Sequence, residues 1–351
     1  MDTKIQEAPK VKRETKNKIK VEFDRAPLKE RIKAKMNAYF IGNIVWFLFR
    51  FIILLGVSFV IIYPFITKIA GSFMSQDDFI DVTVRLIPKA PTLDTYKAIF
   101  TELGYMTAFW NTLLLSLSCA ILQMFVSCLV GYGLAKFRFK GNMLVFAAVI
   151  LTMVVPHGTI QLSMFMKFRY FDVFGIYGLV GKIAELSGNA LKATSFNLTN
   201  SFTPLIIMSA TGLAFKNGLY VFMMRQFFLG VPDELEESAY IDGSGTFKTF
   251  IKIILPLSIP MMITVFLFSF AWQWTDEFYT NLFFGGGSKI LLMPKIVDIP
   301  DSLVTDYAGQ TLFYSAVRNT CGLCIIAPLL ILYLFCQRYL VQGIERSGIV
   351  G

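Results

Sequence analysis

Six long apolar stretches divide this chain, and they constrain its fold more than any other feature of the sequence. They lie at about 44–66, 107–133, 143–167, 203–227, 256–284 and 320–341. Each exceeds the roughly 20 residues that cross the hydrocarbon core of a bilayer as a helix. The sequence therefore predicts an all-α integral membrane protein with six transmembrane helices.

The composition excludes a soluble or a disordered chain. Hydrophobic residues make up 55% and charged residues 16% of the 351 residues. Soluble domains contain about 45–50% apolar and about 25% charged residues, so the excess here requires a lipid-facing surface. Six spans leave no room for a second large soluble domain.

Residues 1–43 form a basic tail that precedes the membrane domain, residues 44–351. The tail holds twelve Lys and Arg against six acidic residues. It lacks the aromatic or groove-reading elements of a nucleic-acid-binding module, so nucleic acid is not an expected partner. It is also too long for a secretory signal. We expect a cytoplasmic tail that lies near anionic membrane lipid.

Basic residues in the loops predict the orientation. With both termini in the cytoplasm, the inner segments carry 19 Lys and Arg and the longer outer segments carry 10. Positive residues accumulate on the cytoplasmic side, so this predicts a multi-pass protein with N-in/C-in topology.

Two prolines bear on the shape of the spans. Pro64 is expected to end the first span, and Pro156 to kink the third. Such a kink suits helices that move against each other, and it is equally consistent with plain packing geometry.

The segment between spans four and five predicts two short helices joined at a corner. Asp233 is a suitable N-cap, and Glu236 completes a capping-box pattern. Leu235, Ala239 and Ile241 can share one apolar side. Asp242-Gly243 would then stop the helix, because glycine readily adopts the left-handed conformation.

A second helix is expected after the corner, capped by Ser244 or Thr246. Its apolar residues recur at helical spacing: Phe247, Phe250, Ile251 and Ile254. Pro256 would interrupt the backbone hydrogen bonds where the next span begins. A rigid knob of this kind can transmit force from a soluble partner, whereas an ordinary connector would lie on the membrane.

The same residues resemble a known motif. Glu237-Ser-Ala239, Asp242-Gly243, Phe250 and Leu255-Pro256 resemble the EAA loop of ABC importer permeases, which in sugar importers reads approximately EEAAxxDGA…F..I.LPL..P. Further matching segments are Pro91-Thr-Leu-Asp-Thr-Tyr96, Asn111-Thr-Leu113, Gly131 to Gly141, Met224-Arg-Gln-Phe-Phe228 and Gln337 to Gly343. Over residues 45–351 the chain resembles the MalG-like group of carbohydrate (oligosaccharide) importer permeases.

The resemblance implies a bacterial permease subunit in the cell membrane that moves a sugar by alternating access. Its implied partners are a second homologous permease, a cytoplasmic ABC ATPase dimer and an extracellular solute-binding protein. Residues 237–254 would dock on the ATPase, with Gly243 at the corner and a Phe247/Phe250 face as the apolar anchor. The implied docking residues are Glu237, Ser238, Ala239, Asp242, Gly243, Phe247, Phe250, Leu255 and Pro256.

The chain departs from the family pattern in three places. Ser238 and Ser244 replace the usual alanines, and the N-terminal tail is longer than usual. Residues about 185–201 look like an insertion in an outer loop, either a determinant of partner specificity or a tolerated surface insertion.

No catalytic, cofactor or metal site is expected in this chain. Gly243 to Thr249 mimics a phosphate loop but lacks the G-x-x-x-x-G-K-[ST] pattern, so ATP and Mg²⁺ would bind the partner ATPase. His157 is the only histidine, and Cys321 and Cys324 have CxxC spacing without a second ligand pair. We interpret the five cysteines as packing residues.

Polar residues at membrane depth are candidates for the substrate path. The candidates are Trp272, Gln273, Trp274, Asp276, Glu277, Lys216 and Asn217. Trp272 or Trp274 could stack on a sugar ring and the polar groups could bind hydroxyls. Alternatively, the tryptophans belong to the interfacial belt, and the acids are solvated or paired with Lys216.

Two alternative functions stay open from the sequence. One is an ABC permease for a non-sugar solute. The other is a self-sufficient secondary transporter or channel, which would need ion-coupling groups and no ATPase-docking loop.

Overall fold

The computed structural model describes residues 10–14, 20–24, 38–172, 175, 182, 195–285, 288–306 and 310–348. The chain divides into two compact units, residues 1–67 and 68–351. Most of the basic tail, and the predicted insertion before residue 195, therefore lie outside the described residues.

A two-stranded antiparallel ribbon lies in the basic tail. β1 (Lys10–Glu14) pairs with β2 (Lys20–Asp24), with Lys12 opposite Glu22 in the register. The prediction of an all-α chain did not include this ribbon. Apolar and charged residues alternate in part of this segment, which is the period of a strand, and the count of charges alone conceals it.

The first apolar stretch forms α1 (Ala38–Gly71), which continues through Pro64. The prediction that Pro64 ends this span is therefore wrong. A proline removes one backbone hydrogen bond, and the apolar run beyond it keeps the helix favourable in a membrane. The Thr67 hydroxyl donates to the Pro64 carbonyl at 2.8 Å, so this hydroxyl has a hydrogen-bond partner within the helix.

Further helices follow along the second unit. They are α2 (Asp94–Thr101), α3 (Tyr105–Lys136), α4 (Asn142–Val154), α5 (His157–Arg169), α6 (Thr203–Thr211), α7 (Asn217–Leu229), α8 (Glu234–Ile241), α9 (Thr246–Thr249), α10 (Leu255–Trp274), α11 (Phe278–Phe283) and α12 (Gln310–Gly348). A π-helical turn, Phe250–Ile254, joins α9 to α10. Short 3₁₀ turns lie at Asp77–Phe79, Met293–Ile296 and Asp301–Leu303.

Within the described residues, four helices are long and apolar enough to cross a membrane. They are 42–71, 105–136, 246–274 and 310–340. The pair α4 and α5 makes a fifth if it counts as one broken span. The predicted helices suited to crossing a membrane are thus present, while the number six and the N-in/C-in orientation stay predictions.

The third apolar stretch breaks at Pro156, as the sequence predicts. The axes of α4 and α5 differ by 101°. Val155 and Pro156 are extended, with ψ of 118° and 129°. Because a proline disfavours helical backbone in the residue before it, the break falls at this pair.

The fourth stretch, 203–227, is not the single helix that its length predicts. It forms α6 and α7 with a turn between them. Gly212 and Lys216 both have left-handed backbone, with φ of +76° and +64°. Left-handed residues end an α-helix, so two of them in five positions separate the stretch into short helices.

The fifth stretch differs from prediction at both ends. Helix runs from Thr246 to Trp274 without a break at Pro256. The π turn carries the chain into the proline, since the Leu255 N–H bonds the Phe250 carbonyl five residues back. The span then ends at Trp274, ten residues short of the predicted end at 284, and α11 begins at Phe278.

Helix α3 packs against α6, α7 and α10, and a glycine sets its closest approach. A Cβ at Gly131 would lie 2.6 Å from the Cβ of Met224 and 2.9 Å from the backbone nitrogen of Arg225. Only a residue without a Cβ allows these two helices to approach so closely. Met224 and Tyr220 are fully buried at this contact.

Candidate docking loop and membrane-depth polar cluster

The two-helix loop between α7 and α10 turns at a glycine. Gly243 has φ of +77°, the left-handed conformation that the sequence predicts. Its N–H donates to the Tyr240 carbonyl at 3.0 Å, and the Ser244 N–H donates to the Ala239 carbonyl at 2.9 Å. These bonds satisfy carbonyls at the end of α8, as in a Schellman ending.

The exposed surface of this loop is centred on the corner. Ile241 and Phe247 are 87% and 78% exposed. Glu237, Ser238 and Asp242 are exposed as well. We call residues 233–250 the docking loop, and this exposed surface is its outer side.

Phe247 and Phe250 do not share a face, which corrects the expected apolar anchor. Phe250 is buried, and its ring lies 4.7 Å from that of Tyr132 on α3. Phe247 is 78% exposed, so the ring contact with α3 involves Phe250 alone. Only Phe247 of the two is therefore available to a partner.

The predicted apolar side of α8 is also wrong in part. Ala239 is buried, whereas Leu235 and Ile241 are exposed. Leu255 is partly buried and Pro256 exposed at the start of α10. The exposed apolar residues extend the docking loop rather than the core.

Two adjacent glutamates of α8 have opposite environments. Glu236 is buried and accepts a hydrogen bond of 2.6 Å from the Tyr132 hydroxyl. Glu237 is exposed. One carboxylate thus holds the loop to the membrane domain, and the other faces outward.

Lys136 at the end of α3 binds the start of α8. Its ammonium donates to the Val231 carbonyl at 2.6 Å and to Asp233 Oδ1 at 2.5 Å, and it lies 3.9 Å from Glu236 Oε2. This hydrogen bond holds the pKa of the Asp233 carboxyl below its usual value. The predicted capping box does not form, because both of its carboxylates have partners on α3.

The second short helix has no side-chain cap either. Gly245 occupies the N-cap position of α9, so neither Ser244 nor Thr246 caps it. The continuous path into α10 stabilises this end of the loop instead.

Trp274 belongs to the core, which corrects its candidacy for sugar stacking. Its side chain is fully buried and its indole N–H donates to the Ile325 carbonyl at 2.9 Å. The rings of Phe270 and Phe109 lie 5.6 and 5.5 Å away. A sugar could reach it only after this packing opened.

Trp272 is accessible and lies beside a cation. It is 49% exposed, and the Lys216 ammonium lies 5.0 Å from its ring and 4.8 Å from the ring of Phe215. Over the described residues, no ion pair joins Lys216 to Asp276 or Glu277. Cation–π contacts replace the expected pairing with the acids.

A small cavity of about 10 Å³ collects unpaired polar atoms. Gln273 Nε2, Asp276 Oδ2, Gln123 Oε1 and Ser269 Oγ are buried without a hydrogen-bond partner, and all four residues line it. Buried polar atoms are nearly always paired, and a cavity of this size holds about one water molecule, so these four atoms are candidates for ligand contact only when the cavity widens. Sequence reasoning missed Gln123 and Ser269, although a glutamine inside an apolar stretch was a usable signal.

The other polar residues of this region have different surroundings. Asp276 Oδ1 accepts from the Tyr279 N–H at 3.3 Å at the start of α11, and Glu277 is exposed. Asn217 is buried against Ser127, with 3.5 Å between their polar side-chain atoms. His157 Nδ1 lies 2.5 Å from the Tyr279 hydroxyl.

A larger cavity of about 910 Å³ lies between α4, α5, α6 and α7. Its walls are mostly apolar, and Lys167, His157 and Lys216 are its charged or titratable lining residues. Gly218 lets α7 approach α4, since a Cβ there would lie 3.0 Å from the Val149 carbonyl oxygen. The break at Pro156 opens onto this cavity.

Comparison with known proteins gives a consistent result. Residues 124–346 match the family model described as "Binding-protein-dependent transport system inner membrane component". The arabinooligosaccharides transport system permease protein AraQ of Halalkalibacterium halodurans is 26% identical over 300 residues, 84% of this chain and 93% of its own length. The galactooligosaccharides transport system permease protein GanQ of Bacillus subtilis is 26% identical over 310 residues, 87% and 95% of the two chains.

Among solved structures, a bacterial ABC transporter involved in the import of the acidic polysaccharide alginate has a chain with a TM-score of 0.59 to this one. The two chains are 20% identical, and the match covers 90% of this chain and 99% of the other. This likeness shows a shared fold.

Proposed function

Because this chain belongs to the family of binding-protein-dependent transport system inner membrane components, we propose that it is the permease subunit of an ATP-driven ABC importer for a sugar. The names of two related permeases include arabinooligosaccharides and galactooligosaccharides, and these names support an oligosaccharide as cargo. The chain itself would not be an enzyme, since ATP and Mg²⁺ would bind the partner ATPase.

The docking loop is the observation that carries this proposal. It exposes Glu237, Ile241 and Phe247 around the rigid Gly243 corner, and its inner side is fixed to α3 through Glu236. A loop anchored on one side and exposed on the other suits transmission of a partner's movement to membrane helices. A self-sufficient transporter has no use for such a loop.

The complete importer would contain several chains. We expect a second homologous permease beside this one, an ATPase dimer on the cytoplasmic docking loop, and an extracellular solute-binding protein. Six spans with both termini inside would put the docking loop on the ATPase side of the bacterial cell membrane.

The mechanism that follows is alternating access. ATP binding would close the ATPase pair and draw the docking loops of the two permeases together. That movement would turn the spans outward-open, and hydrolysis would return them inward-open. The break between α4 and α5 supplies a helix pair that can change its angle without unwinding.

The substrate path would pass the membrane-depth polar cluster. Trp272 offers an exposed ring beside Lys216, and Gln123, Gln273 and Asp276 offer unpaired polar atoms. Sugars bind through ring stacking and hydroxyl hydrogen bonds, which these groups can supply when the path opens. Trp274 has no part in this proposal, because it is buried in the core.

A co-purification experiment tests the function. The chain is expressed with its candidate second permease and ATPase, and compared with Glu237→Lys and Gly243→Pro variants and with Lys140→Gln as a control outside the docking loop. ATPase should co-purify with the parent chain and the control, and much less with the loop variants. Equal ATPase recovery with the broken loop, or none with any chain, would favour the secondary transporter.

A further inference from the structure

Lys136 is an unusual lysine because its side chain is only 8% exposed although it ends a helix that is long and apolar enough to cross a membrane. Three oxygen-bearing partners surround its ammonium: the Val231 carbonyl and the carboxylates of Asp233 and Glu236. All three belong to the segment that leads into or forms α8. A lysine normally extends its charge into water, so this arrangement fixes the segment at a defined position.

Tyr132 lies one helical turn earlier on α3 and extends the same contact. Its hydroxyl donates to Glu236, and its ring packs on Phe250 beyond the corner. The last turn of α3 therefore holds both arms of the docking loop. The arm before Gly243 is held by polar bonds and the arm after it by ring packing.

We propose that Lys136 is a positioning residue that sets the direction of the docking loop relative to α3. This inference rests on the proposed function, since the loop matters only where an ATPase docks. Without Lys136, the buried Glu236 carboxylate would lose its nearby cation, and the segment 231–236 would lose three contacts with α3. A buried charge that loses its partner destabilises its surroundings far more than an exposed one does.

The positioning role predicts a particular defect. A loop that can tilt on α3 would still bind the ATPase through Glu237 and Phe247. It would transmit the ATPase movement poorly, because part of the movement would be taken up by the tilt. Lys136 variants should therefore hydrolyse more ATP per sugar transported, rather than simply lose protein or ATPase binding.

Hydrogen exchange on this chain alone tests the anchor, without any partner. The chain in lipid nanodiscs is compared as parent, Lys136→Gln, Lys136→Arg and Lys140→Gln. Lys140 is exposed in the same loop after α3 and serves as the matched control. Exchange over 234–241 should rise about tenfold in Lys136→Gln, the effect of losing one charge-assisted hydrogen bond. The arginine variant should restore most of the protection.

The expected tenfold rise corresponds to about 1.4 kcal/mol. If exchange over 234–241 in Lys136→Gln stays within about twofold of the parent, the anchor is overturned. Global unfolding is distinguished by exchange in the buried part of α10, which should not change. This experiment gives its answer even if the proposed function is wrong.

The second experiment measures the ratio of ATP hydrolysed to sugar transported in the reconstituted importer, with oligosaccharide-loaded binding protein as the probe. The ratio should rise several-fold in Lys136→Gln and return toward the parent value in Lys136→Arg. An unchanged ratio despite faster exchange would overturn the positioning role. A parent chain that recruits no ATPase would overturn the proposed function, and the two failures are thereby distinguished.

Discussion

The rings of Tyr132 and Phe250 lie 4.7 Å apart, which joins the end of α3 to the start of the π turn. Phe247, only three residues earlier, is 78% exposed. A buried ring and an exposed ring therefore lie three residues apart in one short segment, and the two phenylalanines give a matched pair of variants.

Phe250→Ala should destabilise the protein by about 3 kcal/mol, because it removes a buried ring from the contact with Tyr132 and from the core cluster that also contains Phe228. Phe247→Ala should leave the melting temperature unchanged and reduce ATPase recovery in co-purification. Thermal unfolding in detergent and the pull-down separate the two effects. Equal melting temperatures for both variants would contradict the assigned burial.

The two tryptophans of the polar cluster form a second pair. Trp274→Ala should lower stability by about 3 kcal/mol, because it empties a core position and leaves the Ile325 carbonyl without its donor. Trp272→Ala should keep stability and raise the KM for sugar uptake. Unfolding and uptake kinetics are measured on the same preparations, and unaltered uptake by Trp272→Ala would remove Trp272 from the substrate path.

Two glycines of α3 should respond to alanine in opposite directions. At Gly131 a Cβ would meet the backbone of α7, so Gly131→Ala should destabilise by about 2 kcal/mol. At Gly133 nothing lies within 4 Å, so Gly133→Ala should stabilise by about 0.5 kcal/mol through helix propensity. Chemical or thermal unfolding of both variants checks the sign, and the same sign for both would refute the close approach.

The corner should tolerate alanine better than proline. Gly243→Ala meets open space and costs about 1 kcal/mol for the left-handed backbone alone. Gly243→Pro also removes the N–H that bonds the Tyr240 carbonyl, and its fixed φ cannot reach +77°. It should uncouple ATP hydrolysis from transport, as read from the ratio of the two rates. Normal transport by Gly243→Pro would show that the corner is not needed.

The bond between Lys136 and Asp233 should weaken in acid. The pKa of Asp233 is lowered in the folded state, so the bond contributes fully above the ordinary carboxyl pKa of about 3.9 and is lost as the pH falls through the lower folded value. The test uses a spin label attached at Ile241→Cys, with Cys336, the one cysteine that is not buried, replaced by serine. The label should become more mobile as the pH falls through the lowered pKa of Asp233.

In Lys136→Gln, the spin label should already be mobile at pH 7, and its mobility should change less in acid. An equal acid response in both proteins would assign the change to groups other than the Lys136–Asp233 pair.

Local sequence rules predicted the backbone correctly at Pro156 and Gly243, but not at Pro64, where α1 continues. Pro156 and Gly243 act through their own φ preferences, so the break and the corner appear where expected. Local rules failed where a distant partner competes. The capping box between Asp233 and Glu236 is reasonable from the local sequence, but Lys136, 97 residues before Asp233, binds the Asp233 carboxylate, and Tyr132 donates to the Glu236 carboxylate.

Packing between distant segments also explains why the candidate site could be predicted only in part from the sequence. Trp272 and Trp274 look equivalent in the sequence, and only the packing of α10 on α12 buries one and exposes the other. The predicted span four failed because Lys216 adopts left-handed backbone, which its residue type does not favour. The six-span count depends on how such broken segments traverse the bilayer.

The direction of the docking loop depends on how many residues form the π turn at Phe250–Ile254. A π turn holds one residue more than an α-helical turn of the same rise. Deleting a single residue there would restore the α-helical period and rotate everything before it by about 100° around the axis of α10. Phe247 and the Gly243 corner would then point away from the end of α3 without any change in their own conformation. Among relatives of this chain, a one-residue gap at this position would therefore change the direction of the docking loop, even where every residue of that loop is identical.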